Sequence, residues 1–65
     1  MGVCIRYKTL KNKRKSFYLD IVIDGTRYYE FLSIYIDKGD PDRKEKLELI
    51  EAIKSKRILE LMHDE

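Results

Sequence analysis

Sixty-five residues, 40% of them charged, with one cysteine and one histidine, make a single domain that buries only about 60% of its unfolded surface. That length does not hold both a packed core and a dry catalytic pocket, so a binding module, or a piece of a longer protein, is expected rather than an enzyme. Lone Cys4 excludes an internal disulfide and a four-ligand zinc site of the usual kind, and no apolar run approaches the roughly 18 residues of a membrane span.

The chain opens on Val3, Ile5 and Tyr7 alternating with Cys4, Arg6 and Lys8. This period of two predicts a strand over about 2–10, with one apolar and one largely basic face. Arg6 breaks the acylation pattern that the Met1-Gly2 start would otherwise suggest. The segment Lys11-Asn12-Lys13-Arg14-Lys15 is too polar to bury and forms a loop. Phe17, Leu19, Ile21 and Ile23 then alternate with Tyr18, Asp20 and Val22, a second strand over about 16–23.

Asp24-Gly25 is a hairpin signal, because both residues tolerate a positive φ. The aromatic and β-branched run from Thr26 to Ile36 supplies a third strand, 26–36. Two registers fit this hairpin. A two-residue turn sets Leu19 opposite Glu30; a three-residue loop ending at Gly25 sets Leu19 opposite Tyr29 and Phe17 opposite Phe31. The second keeps the Glu30 carboxylate off the apolar face and is favoured, with a bulge near Ser33 returning Ile34 and Ile36 to the core. A slip of one residue exchanges the faces of Tyr28 and Tyr29.

After Lys38-Gly39-Asp40 the period changes. Asp40 as cap and Pro41 in the first helical position open a helix over about 41–62, with Asp42 and Glu45 as an alternative capping box. Leu47, Ile50, Ile53, Ile58 and Leu61 share a broad stripe that Lys54 and Arg57 interrupt. Packing is therefore expected to end near Ile53 or Ile58. The fold class is α+β: a three-stranded antiparallel meander packed on one C-terminal helix.

The net charge of +2 averages two unlike halves. Residues 1–36 hold seven bases and three acids, residues 37–65 seven bases and nine acids, and Arg6 to Lys15 holds six bases and no acid. Such a block is either a solvated hairpin loop or the footprint of a phosphate-binding edge. One helix covers one sheet face, and in the favoured register the other displays Cys4, Arg6, Lys8, Tyr18, Asp20, Val22, Tyr28 and Glu30. Each tyrosine alone reads as ordinary strand filling. Basic loop, basic strand and aromatic face together favour nucleic acid, since Arg and Lys meet phosphates or guanine edges and Tyr adds hydroxyl and apolar contact.

No catalytic constellation appears. His63 stands near the end with only acids about it, Gly2, Gly25 and Gly39 form no phosphate loop, and Asp37, Asp40 and Asp42 miss the register of a calcium loop. No metal and no cofactor are expected, and the chain itself is read as non-catalytic.

The stretches Lys15-Ser16-Phe17-Tyr18-Leu19-Asp20-Ile21 and Asp24-Gly25-Thr26-Arg27-Tyr28-Tyr29-Glu30-Phe31-Leu32, with the basic opening Ile5-Arg6-Tyr7-Lys8 and the charged helix after Asp40-Pro41, resemble the N-terminal arm-type DNA-binding domain of tyrosine recombinase integrases. The nearest likeness is to integrases of Bacteroides-type mobile elements, and it runs over nearly the whole chain. Relatives often carry Gly where this chain has Ser33. The resemblance implies a three-stranded sheet on a helix whose open face enters the major groove at arm sites, serving recombination by a catalytic domain elsewhere in a longer integrase. It also implies a bacterial, nucleoid-associated protein that touches other integrase domains or protomers. The lone Cys4 and the lack of a long apolar run are what set the expectation of a reducing, cytoplasmic setting without membrane partners.

The DNA-binding residues expected on these grounds are Arg6, Lys8, Arg27, Tyr18 and Tyr28 on the sheet, with Lys11, Lys13, Arg14 and Lys15 gripping phosphates from the first loop. Two other functions compete: a protein-interaction module using a sheet edge or the outer helix, and double-stranded RNA binding. For the latter neither a second helix nor bases clustered at a helix start are visible.

Overall fold

A computed structural model describes residues 1–63, His63 by its backbone alone, so the expectation about the His63 side chain lies outside the described residues. Three strands, β1 (Gly2–Thr9), β2 (Lys15–Ile23) and β3 (Thr26–Ile36), form an antiparallel sheet in the order β1-β2-β3. One helix follows, α1 (Arg43–His63). This is the α+β meander expected from the two periods.

Between β1 and β2 the chain makes a tight turn through Lys11–Lys13, closed by the Leu10 amide donating to the Arg14 carbonyl. Asn12 and Lys13 both take positive φ there, a region Asn enters readily. Asp24 (φ 49°) and Gly25 (φ 80°) make a two-residue turn with both central φ positive, the geometry whose twist matches the flanking strands.

That turn corrects the favoured register. Leu19 faces Glu30, Ile21 faces Tyr28 and Asp20 faces Tyr29. Tyr28 and Glu30 therefore stand on the helix side, and Tyr29 and Phe31 on the open side. The objection to this register was an unpaired carboxylate beneath the helix. Arg57 removes it, its Nη2 lying 2.7 Å from the Glu30 carboxylate. The same basic residue that interrupts the apolar stripe of α1 is what makes the register affordable.

The bulge near Ser33 is present, but its effect differs from the one expected. Phe17 faces Ile34 while Tyr18 faces Phe31, so two extra residues, Leu32 and Ser33, enter β3. An excess of two leaves the alternation unchanged. Even-numbered residues from Tyr28 to Ile36 stay on the helix side throughout, and Ser33 takes the positive φ of 56° that bends the strand.

The helix begins at Arg43, two residues after Pro41. Asp40 precedes it and accepts the Asp42 amide on Oδ1 (2.9 Å) and the Lys46 ammonium on Oδ2 (2.6 Å). The Lys46 bond, then the backbone amides, hold the Asp40 carboxyl below the usual carboxylate range. Phe17 and Ile36 pack with Ile50, a fully buried residue of α1, and Ile5, Leu32, Ile34 and Leu47 close round them. Leu19 and Ile21 complete the buried face of β2. Leu49, Leu59 and Met62 lie exposed on α1.

Candidate nucleic-acid interface

With α1 on one side, the other face of the sheet is open. Strand alternation and the observed pairing bring to it Cys4, Arg6 and Lys8 from β1, then Tyr18, Asp20 and Val22 from β2. From β3 come Arg27, Tyr29, Phe31 and, past the bulge, Tyr35.

The aromatic part is continuous. Tyr18 packs edge-on to Tyr29, ring centroids 5.8 Å apart, and tilted against Phe31 at 5.3 Å. The Lys8 ammonium sits 5.7 Å from the Phe31 centroid, and the Arg14 guanidinium 5.7 Å from that of Tyr35. Phe31 and Tyr29 nevertheless remain more than half exposed. Such exposed aromatics, pinned by neighbours on a sheet, offer apolar contact at little further cost in ordering.

Toward the other end, Arg6 Nε donates to Asp20 Oδ2 at 2.7 Å, and Arg27 Nε lies 3.2 Å from Asp20 Oδ1. The bond to Asp20 raises the Arg6 guanidinium further above its already high range, so it stays a cation throughout. Arg14 does likewise through Asp37, Nε to Oδ1 at 2.7 Å.

Of the residues expected to bind, Arg6, Lys8, Tyr18 and Arg27 stand together on the open face, with Arg14 at its edge over Tyr35. Lys11 and Lys13 are exposed in the adjoining turn. Two lie elsewhere. Lys15 is the first residue of β2 rather than a loop residue, and stands on the helix side with its ammonium 4.7 Å from the Tyr7 ring centroid. Tyr28 is on the helix side because the turn has two residues, not three. Tyr29, Phe31 and Tyr35 were missed, and counting outward from Asp24-Gly25 as a two-residue turn is the signal that would have found the first two.

Among the described residues no cluster of His, Cys, Asp or Glu suits a metal ion, and no helix is long and apolar enough to cross a membrane. Residues 3–64 match the model of a family described as Arm DNA-binding domain. Comparison with curated proteins and with solved structures gives no match.

Proposed function

The chain belongs to the Arm DNA-binding domain family, and from that premise we propose that it binds double-stranded DNA sequence-specifically at arm-type sites, laying its open sheet face into the major groove. DNA binding in integrase-type recombination is the family's role, and an arm domain by itself is non-catalytic. The finer reading is that this chain is the N-terminal domain of a longer tyrosine recombinase from a bacterial mobile element, acting at the nucleoid. Its catalytic residues would belong to another domain.

The observation that carries the groove-binding reading is the composition of the open face: Arg6, Lys8 and Arg27 interleaved with Tyr18, Tyr29 and Phe31, and a single strand carboxylate already paired to two arginines. Three strands span about 10 Å from first to last backbone, and the major groove is about 12 Å wide. Lys8, Lys11, Lys13 and Arg14 lie at one end of that face, suited to the phosphates flanking the groove. The exposed Leu59 and Met62 on α1 suit contact with other integrase domains or protomers.

Titration with duplex DNA at several salt concentrations tests this. Neutralising about four phosphates gives log affinity a slope near −3.6 against log salt. Backbone and side-chain NMR shifts should move at Arg6, Lys8, Tyr18, Arg27, Tyr29 and Phe31. A salt-insensitive titration, shifts confined to α1, or equal binding of an RNA duplex would overturn the proposal.

A further inference from the structure

The open face has a buried carboxylate at its centre. Asp20 is only 5% exposed although α1 covers the opposite side of the sheet. Arginines from the two flanking strands close over it. In the pairing, Asp20 faces Cys4 on one side and Tyr29 on the other, while Arg6 faces Tyr18 and Arg27 faces Val22. The two arginines therefore reach Asp20 along opposite diagonals, one from each end.

Each turns its Nε toward the carboxylate, Arg6 at 2.7 Å to Oδ2 and Arg27 at 3.2 Å to Oδ1. Arg6 makes a directional hydrogen bond. Arg27 contributes charge without the alignment of one, so Oδ1 has no hydrogen-bond partner. More than half of each arginine side chain stays exposed, and among the described residues neither Nη pair has a protein acceptor. A guanidinium engaged at Nε keeps its terminal Nη pair for a second planar partner. In the major groove that partner is guanine, whose O6 and N7 take such a pair together.

We propose that Asp20 is a positioning residue that presents Arg6 and Arg27 as a matched pair to two guanines on neighbouring base pairs, and so sets the base preference of the domain. The inference rests on the open face entering the groove. Both forks converge on one carboxylate, which keeps the two guanines close. A carboxylate in a face that meets a polyanion opposes phosphate contact. Its place is accounted for by orientation, since a fork already held loses less freedom on binding.

The test is selection from a pool of randomised duplexes by the full chain, followed by affinities for the selected and the random duplex. Selected sites should carry two neighbouring G·C pairs, and replacing either should weaken binding about 5- to 150-fold. Arg6→Lys and Arg27→Lys keep the charge at exposed positions. Each should remove the preference at one pair, so that the selected duplex loses at least about fivefold more affinity than random duplex does. Asp20→Asn should weaken the preference at both pairs together, leave random-duplex binding equal or tighter, and abolish the separate, slowly exchanging Arg6 Nε–H signal in the free protein.

Retention of both preferences in Asp20→Asn, or selected sites without guanine at neighbouring pairs, would overturn the inference while leaving groove binding intact. Failure of the natural chain to bind any duplex would overturn both. Should Asp20→Asn fail to fold, the two lysine variants decide: loss of affinity without loss of base preference refutes the matched pair.

Discussion

Tyr28 and Tyr29 are neighbours of identical chemistry and nearly identical exposure, 52% and 54%, on opposite faces of the sheet. Truncating each to Ala separates a groove-facing sheet from general aromatic stickiness. A tyrosine side chain buries about 150–250 Å² when fully covered, and roughly half of Tyr29 is open, so about 100 Å² remains for DNA to cover. At about 25 cal/mol per Å² the ceiling is near 2.5 kcal/mol. A groove contact that leaves the hydroxyl wet realises about 1–2 kcal/mol, or roughly 5- to 30-fold in affinity. Tyr29→Ala should show that loss by fluorescence anisotropy on a selected duplex at fixed salt, and Tyr28→Ala less than about twofold. Tyr29→Ala also removes the edge contact with Tyr18, worth about 0.5–1.5 kcal/mol of stability, so both variants must be titrated well below their melting temperatures. Equal losses, or a larger loss for Tyr28→Ala, would refute the assignment of faces.

Two further expectations concern the scaffold. Ser33 is strained by its positive φ of 56°, so Ser33→Gly should raise the melting temperature by about 2–4 °C, a gain of about 0.5 kcal/mol; a fall in circular-dichroism melts would show the bulge is not strained. Asp40 has its carboxyl held below the ordinary 3.8 by Lys46 and the Asp42 amide, so its ionised form stabilises the fold fully above that value and loses the effect as the pH falls through the depressed folded value. The melting gap between the natural chain and Asp40→Asn should therefore be wide at neutral pH and close in acid. A gap that stays constant across the range would remove Asp40 from the account.

The strands, the hairpin signal and the helix were legible because each is a local pattern, a period of two giving way to one near 3.6 after Gly39. The register was not. Asp24-Gly25 suits a two-residue turn and equally the end of a three-residue loop, and the choice depends on whether Glu30 has a partner beneath the helix. That partner, Arg57, is 27 residues further along the chain. In sequence Arg57 looked only like a break in an apolar stripe. Asp20 was likewise visible as one polar position in an alternating strand. The arginines that close over it come from positions 6 and 27, on different strands, and no local spacing relates the three. Ser33 was identified as a bulge from the apolar residues beyond it, yet the size of the insertion, two residues rather than one, is set by the pairing of Phe17 and Tyr18.

The Glu30–Arg57 pair also bears on how the chain finds its fold. A hairpin as local as β2–β3 can zip within microseconds, long before a docked helix is needed to hold it. In the slipped frame Glu30 would lie on the far side of the sheet from α1, out of reach of Arg57, and Tyr29 would take its place beneath the helix. Helix docking thus discriminates between the two pairings, giving Arg57 the Glu30 carboxylate in one frame and only Glu60 of its own helix in the other. The final third of the chain checks which set of side chains the middle third turns outward.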